Sequence, residues 1–512
     1  MKNKFIYLAL VAIGMVSCDA EIENAVDANY TAGDADFSSY VAIGNSLTAG
    51  YMDGTVYREG QSYSFPNTLS QQFAVVGGGM FTQPSFADDV DNKGGIMGIF
   101  GTRLVINASA GAPQPLAGTS TITLTPQASP FNNMGIPGAK IFHLLAPGYG
   151  NAAGLAVGAA NPYFVRHATS ATATVLGDAL QMNPTFFTNW IGANDVLSYA
   201  TSGGSGVDQT GNIDPTTYGS NDITDPNVFG AAYQQIVAAL TANGAKGVCA
   251  TIPSVTSIPY FTTVPYAPLS PAALGGTAGV NQLNQQLYGP LKQVFSAYGE
   301  PNRVDLLSAT AANPILIFDA DATDMTAQIT GALTPTLGAP TATAFGMVFG
   351  KARQATANDL VVLPASGVIG STNATSPSPA INVNGVTFPM ANQWVLTSTE
   401  QAKVATATAS YNATIATIAS TYGIALADMN TVMGQLVSGL QVEDGTLYSA
   451  DYFSSAATAS NVLFSLDGVH PNARGYAVIA NQFIHTINSF YNANIPLVNA
   501  GGYPGVTIVA SN

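Results

Sequence analysis

Residues 41–51 read VAIGNSLTAGY, and this stretch decides the fold predicted for the chain. Residues 41–44 have the composition of a buried strand, and the polar Asn45 and Ser46 follow it at once. In an open α/β sheet, ligands bind beyond the carboxyl ends of the strands. The stretch therefore predicts a sheet edge at which the Ser46 hydroxyl is presented. A serine that only caps a helix is commoner, so other residues have to decide between the two.

Apolar runs of strand length alternate with helical patterns along the rest of the chain. Further strands are predicted at 185–190, 246–252 and 424–428. Helices are predicted at 225–244, 280–298 and 397–422, and from Pro471 to about residue 491. This alternation predicts an α/β fold with a parallel central sheet and helices on both faces. Residues 75–130 and 310–395 do not fit it, and they are predicted to be long loop insertions.

The composition excludes some classes of function. Charged residues make up 8% of the 512, against about 25% in an average soluble protein. Lys and Arg number 14 against 29 Asp and Glu, and no basic cluster follows the N-terminus. Nucleic-acid binding is therefore not expected. The chain has two cysteines, and Cys249 lies in the apolar sequence KGVCATI, where a thiol usually acts as a small hydrophobic group.

Residues 1–18 have the layout of an export signal, with Lys2 and Lys4 before an apolar run that is too short to span a bilayer. The sequence GMVSC, which ends at Cys18, resembles a bacterial lipobox, and the acidic residues after it resemble the sorting signal of Bacteroidota lipoproteins. We therefore expect an exported lipoprotein, anchored by its acylated Cys18 in the outer membrane. Residues 19–36 would form a tether and residues 491–512 a C-terminal tail. An ordinary secretory signal is the alternative.

A serine nucleophile needs a base, and the chain offers four histidines. His470 lies in DGVHPNARGY, three residues after Asp467 and just before the last predicted helix. This spacing lets the carboxylate accept a hydrogen bond from imidazole Nδ1 while Nε2 faces the serine. The other three histidines are better explained by packing or have no carboxylate nearby in sequence: His143, His167 and His485.

Acyl transfer also needs hydrogen-bond donors for the oxyanion. The segment NWIGANDVL ends a predicted strand and places the Asn194 amide at the same sheet edge as Ser46. The segment NNMGIPGAK contains Gly135 and Gly138, and a glycine backbone allows close approach of its N–H to a ligand. On the residues alone, either glycine could be the donor.

Four of these segments resemble, in type and order, the sequence blocks of the SGNH hydrolase family, the GDSL-like esterases and lipases. GNSLTAGY resembles the first block, with Asn45 where aspartate is common, and NMGIPG, GAND and DGVHPN resemble three later blocks. The resemblance extends over residues 37–490 and implies a flavodoxin-like, three-layer α/β/α fold. The site residues that it implies are a catalytic triad of Ser46, Asp467 and His470 and an oxyanion hole of Ser46, Gly138 and Asn194.

The resemblance implies an ester hydrolase that works through an acyl-enzyme and needs no metal or organic cofactor. Met and Phe among the glycines of 77–86, 94–100 and 343–350 predict a lipid-like substrate if they line the site. A carbohydrate esterase or a non-catalytic lipid- or glycan-binding surface lipoprotein are the alternatives. The acidic run over 319–324 lacks the glycine and the terminal glutamate of an EF-hand loop, so no calcium site is predicted.

Overall fold

The computed structural model describes residues 29–455, 459 and 461–510, and the predicted export signal with Cys18 lies outside these ranges. Its central sheet has five parallel strands: β1 Tyr40–Gly44, β2 Asn133–Gly135, β3 Phe186–Trp190, β4 Lys246–Ala250 and β5 Ala425–Ala427. Their order is β2-β1-β3-β4-β5, the doubly wound order of flavodoxin-like sheets. The predicted α/β class with a parallel central sheet is confirmed.

Seven helices pack on this sheet or frame its carboxyl edge: α1 Ser46–Ala49, α2 Phe65–Val75, α3 Asn194–Thr201, α4 Pro226–Thr241, α5 Ser398–Tyr422, α6 Met429–Ser438 and α7 Ala473–Phe490. The other α-helices outside the two predicted insertions are Arg58–Ser62, Pro162–Val165, Val175–Leu180, Pro259–Thr262, Gly276–Leu283 and Gly289–Ala297, the last two joined by a π-helical turn. Asp225 caps α4 by accepting the N–H groups of Asn227 and Val228. Thr397 and Glu400 form the predicted capping box of α5.

Alternate side chains of the strands enter two separate cores, because successive residues of a strand point to opposite faces. On β1, Val41 and Ile43 pack in the core that contains α4 and α5. Tyr40 and Ala42 pack in the other core, with α2 and α7. Both faces of the sheet are therefore covered by helices.

The two predicted insertions differ in structure. Residues 75–130 are mostly loop, with one antiparallel strand pair, Leu104–Asn107 and Ala112–Pro115. Residues 310–395 are predicted to be loop, but two helices form there, Thr326–Leu337 and Ala339–Phe349, and they pack against each other. Gly346 allows their close approach, since a Cβ there would lie 2.3 Å from Thr330 Oγ1.

The described parts of the predicted tether and tail pack on the domain. Thr31 forms an antiparallel bridge with Asn494, and Asp34 N–H donates to the Tyr491 carbonyl at 2.7 Å. Near the C-terminus, Ile508–Val509 pairs in parallel with the strand Leu104–Asn107. Within the described ranges, none of the helices combines the length and the hydropathy that a membrane span requires.

Candidate active site

The turn after β1 requires glycine and leaves the Ser46 hydroxyl available. A Cβ on Gly44 would lie 2.0 Å from Thr48 Oγ1 and 2.7 Å from the Trp190 carbonyl. Asn45 is the N-cap of α1, and its side chain accepts the Leu47 N–H at 3.0 Å. Capping needs only an acceptor oxygen, so asparagine serves here as aspartate would. Because Asn45 caps the helix, the Ser46 hydroxyl does not serve as the cap and can hydrogen-bond to another residue.

That partner is His470, which the fold brings to the same sheet edge. His470 Nε2 lies 2.8 Å from Ser46 Oγ, and His470 Nδ1 lies 2.9 Å from Asp467 Oδ2. The side chains of His470 and Asp467 are each 14% exposed, and Ser46 is 6% exposed. The three predicted residues therefore form one hydrogen-bonded chain from hydroxyl to carboxylate.

Backbone N–H groups hold the Asp467 carboxylate in place. Its Oδ1 accepts the N–H groups of Val469 and His470, each at 2.8 Å, and its Oδ2 accepts the Gly54 N–H at 3.1 Å. Burial acts to raise the pKa of Asp467, but the facing His470 and these hydrogen bonds outweigh it and hold the pKa below its usual 3.8. Asp467 therefore stays ionised beside the imidazole.

A second buried carboxylate, Asp53, supports the segment that carries Asp467. Asp53 Oδ1 accepts the Leu466 N–H at 3.0 Å, Oδ2 accepts the Tyr57 hydroxyl at 3.1 Å, and the Asp53 N–H donates to Ser465 Oγ at 3.0 Å. Burial raises the pKa of Asp53 to about 6. Sequence reasoning missed this residue, because its Asp-Gly dipeptide indicates only a turn.

The Asn194 side chain joins two of the predicted segments. It begins α3 and is 7% exposed, and its Nδ2 donates to the Ala139 carbonyl at 2.9 Å. Gly192, two residues earlier, has φ +114°, and a Cβ there would lie 2.8 Å from the Phe229 ring. This tight turn directs Asn194 to the edge that bears Ser46, beside the loop that contains Gly138.

The structure separates the two glycines that the sequence left as alternatives. The Gly135 N–H donates to Asn133 Oδ1 at 3.0 Å, and a Cβ on Gly135 would lie 2.3 Å from the Ala49 nitrogen, so this glycine serves packing against α1. Gly138 has φ +79° and is exposed. No described residue accepts its N–H or that of Ser46. Gly138 is therefore the glycine with a free donor.

A buried network lies behind the oxyanion side. Asp195 Oδ2 accepts the Ile141 N–H at 3.0 Å, and its Oδ1 accepts the Thr224 hydroxyl at 2.6 Å. Burial raises the pKa of Asp195 to about 6. The buried Lys140 donates to the Asp222 carbonyl at 2.6 Å, and burial lowers its pKa. Asp195 thus ties the start of α3 to the loop that follows Gly138.

An apolar cavity of about 110 Å³ opens beside Ser46, Asn194 and His470, and it is lined by side chains of α6 and α7. The Met and Phe residues of the insertions do not line it. Met80 and Met347 are 87% and 72% exposed, while Phe86 and Ile96 belong to a small separate core. The apolar wall of the cavity therefore comes from α6 and α7 and not from the insertions that the sequence indicated.

The remaining candidates lie away from this site. His143 Nδ1 accepts the Lys140 N–H at 3.0 Å, and burial lowers the pKa of His143 to about 4 and that of His167 to about 3. His485 contacts Glu443 on the surface. Cys249 is buried in β4, where burial raises its pKa to about 12. In the acidic run, Asp319 pairs with Arg353 at 2.6 Å.

Comparisons of this chain with protein-family models, with curated proteins and with solved structures find no match. What the site can do follows from its own geometry. A hydroxyl is hydrogen-bonded to an imidazole, the imidazole to an ionised carboxylate, and free N–H donors lie on the neighbouring turns. This arrangement can activate an oxygen nucleophile and stabilise a negatively charged oxygen.

Proposed function

We propose that the protein is a serine ester hydrolase of the SGNH type that cleaves esters with an apolar acyl group. The observation that carries this proposal is the continuous chain from Ser46 Oγ to His470 at 2.8 Å and from His470 to Asp467 at 2.9 Å. The position of these residues at the edge of the sheet also supports the proposal. Ser46 follows β1 and Asn194 follows β3, and ligands bind where the order of a doubly wound sheet reverses, between these two strands.

In the proposed first half-reaction, His470 Nε2 takes the proton of the Ser46 hydroxyl as Oγ attacks the ester carbonyl carbon. The carbonyl oxygen becomes negative and accepts hydrogen bonds from the backbone N–H groups of Ser46 and Gly138 and from the Asn194 amide. The tetrahedral intermediate then breaks its bond to the alcohol oxygen, which takes the proton from His470. The acyl group remains as an ester on Ser46.

In the second half-reaction, His470 takes a proton from water, and the water oxygen attacks the acyl carbon. Collapse releases the carboxylic acid and returns the proton to Ser46 Oγ. Asp467 serves both steps, because it accepts the Nδ1–H of His470 and fixes the tautomer in which Nε2 is the base. Its depressed pKa keeps a negative charge beside the imidazolium that forms in each step.

A fluorophosphonate probe tests the nucleophile, since it reacts with activated serines. We expect labelling of wild-type protein at Ser46, with loss of labelling and of ester hydrolysis in Ser46→Ala. Loss of the nucleophile in a serine hydrolase typically lowers kcat by about 10⁴ to 10⁶. Ser62→Ala, which removes an exposed hydroxyl, is the matched control. Wild-type-like hydrolysis by Ser46→Ala would rule out the proposal, and binding of an ester without turnover or labelling would favour a binding protein.

Substitution of the base gives a second test. We expect His470→Gln to lower kcat by about 10⁴ to 10⁶, because an amide cannot take the proton of the Ser46 hydroxyl. The measurement is the initial rate on a p-nitrophenyl ester, with protein stability followed in parallel. Wild-type-like hydrolysis by this variant would exclude His470 as the base.

We also propose that the protein is exported and anchored in the outer membrane through acylation of Cys18, on the strength of the lipobox-like sequence GMVSC. More than one acyl chain is needed for stable anchoring. In Cys18→Ala, we expect the protein to move from the detergent-extracted membrane fraction to the soluble fraction. Unchanged membrane association of this variant would contradict the proposal.

A further inference from the structure

We propose that the cavity beside Ser46 is an acyl pocket, built by α6 and α7, that holds an acyl chain of about four to six carbons. This inference rests on the proposed ester hydrolysis and specifies its substrate class. It predicts esters with four to six acyl carbons and excludes both acetyl esters and long-chain lipids as the preferred substrates.

The chemistry of the lining favours a hydrocarbon. Away from Ser46, the wall is made of apolar side chains, among them Met429, Val432, Met433 and Leu436 of α6, Val478 and Ile479 of α7, and Phe464. Trp190 also lines the cavity, but its Nε1 donates to the Thr251 carbonyl at 3.1 Å. Among the described residues, the part of the wall away from Ser46 therefore offers no free donor for a sugar hydroxyl, and apolar cavities of this kind do not favour water.

The position of the pocket suits the acyl side of an ester. Ser46, Asn194 and His470 all border the cavity, so a carbonyl carbon at Ser46 Oγ would have its attached chain next to the apolar wall. α6 begins directly after β5, at the same sheet edge as Ser46. Met429 and Leu436 both line the cavity and lie about 10 Å apart along the helix axis.

The size of the cavity sets the length of the chain. An apolar cavity of about 150 Å³ holds one benzene ring, which has six carbons. By the same measure, the 110 Å³ beside Ser46 holds about four carbons beyond the carbonyl carbon, which corresponds to an acyl chain of about four to six carbons in all. Each methylene that enters an apolar site raises binding about fourfold. We therefore expect kcat/KM to rise about fourfold per methylene from acetyl and to stop rising at four to six carbons.

The test is kcat/KM on p-nitrophenyl esters of two to twelve carbons, measured on the wild type and on two α6 variants. Leu436→Ala enlarges the pocket, so its optimum should move by roughly two to three carbons to longer chains. Val437→Ala is the matched control, because Val437 follows on the same helix and is 56% exposed. The control should keep the wild-type optimum.

Alkyl fluorophosphonates of increasing chain length give a second readout on wild-type protein, which does not depend on the folding of a variant. Labelling of Ser46 should be fastest at four to six carbons. Labelling or hydrolysis that is best for acetyl, rises steadily to twelve carbons or ignores chain length would overturn the acyl pocket while leaving the esterase proposal intact. A preference that follows the alcohol in a series of alkyl acetates would also overturn it. No labelling and no hydrolysis of any ester would instead refute the proposed function.

Discussion

The two sides of the candidate site are each supported by an aspartate, but the two aspartates have opposite environments. On the base side, Asp467 faces His470 and accepts three backbone N–H groups, and its pKa lies below the usual value. On the oxyanion side, Asp195 accepts a hydroxyl and one backbone N–H, and burial raises its pKa to about 6. The surroundings of Asp467 stabilise its charged form, whereas burial of Asp195 favours its protonated form.

The difference indicates two separate tasks. A carboxylate beside an imidazole that becomes charged during the reaction must itself carry charge. A carboxylate that only holds loop N–H groups in place needs oxygen acceptors and can share this role with a neutral amide. Replacement of each aspartate by asparagine should therefore affect activity on the base side and the pH dependence of stability on the oxyanion side.

The largest effect is expected for Asp467→Asn. The amide cannot stabilise the imidazolium and can favour the wrong tautomer of His470, so kcat should fall by about 10⁴. Steady-state kinetics on an ester with a four- to six-carbon acyl chain measure this loss, and the urea midpoint shows whether the fold is retained. A loss of less than tenfold with an intact fold would show that the charge of Asp467 is not used.

On the oxyanion side, Asn194→Ala should lower kcat by about 10² to 10³, as for the loss of one oxyanion donor. Because Asn194 also holds the Ala139 carbonyl, some of this loss would come through the Gly138 loop. Ser198→Ala, one turn further along α3, is the control and should change kcat little. Equal losses in the two variants would indicate damage to the helix instead of a lost donor.

Asp53 offers a smaller test on the base side. Asp53→Ala leaves the Leu466 N–H without its acceptor, so the segment before Asp467 should lose its register and kcat should fall by roughly tenfold with KM unchanged. Asp53→Asn keeps an acceptor oxygen and should restore most of kcat. If neither variant changes kcat, Asp53 has no positioning role. If Asp53→Asn does not restore kcat, the charge of Asp53 is needed, and its role is not limited to accepting the Leu466 N–H.

The smallest effect on activity is expected for Asp195→Asn. This variant should instead change how the free energy of unfolding depends on pH. The folded-state pKa of Asp195 is raised from 3.8 to about 6, so the folded protein binds the proton more tightly than the unfolded chain. Asp195 therefore adds stability at low pH, and this contribution is lost as the pH rises from about 4 through 6. The wild type should gain about 2 kcal/mol over Asp195→Asn between pH 7.5 and pH 4.

Urea unfolding of both proteins at the two pH values measures this difference. Using the difference between variants removes the contributions of other groups, such as His143 and His167, whose lowered pKa values act in the opposite direction. A constant difference in the free energy of unfolding at both pH values would contradict the raised pKa of Asp195.

The sequence predicted those elements whose signals are local. Strands β1, β3, β4 and β5 are apolar runs, and α4 and α5 carry their own caps. Strand β2 was missed because its three residues, Asn133–Gly135, have low strand propensity and are extended only through pairing with β1. The helices at 326–349 were missed because Pro335 and Gly338 interrupt the pattern, and mutual packing of the two helices stabilises them.

In the candidate site, too, the residues with local sequence signals could be predicted, and the features that depend on tertiary contacts could not. Ser46, Asn194, Asp467 and His470 could be predicted, because parallel strands place their carboxyl ends at one edge and each residue directly follows a recognisable element or precedes one. The cavity could not be predicted, since its wall depends on how α6 and α7 are spaced. Asp53 and Asp195 were missed as supports because their roles depend on contacts with residues far away in sequence.

Because Trp190 borders the cavity, its fluorescence should respond to a ligand bound there. The chain has two tryptophans, Trp190 and Trp394, and Trp190 alone borders the cavity while being 4% exposed. A chain that enters the cavity changes the surroundings of this indole directly. In Trp394→Phe, the tryptophan emission would come from Trp190 alone, so occupancy of the cavity by a non-hydrolysable ligand could be followed in real time without a label.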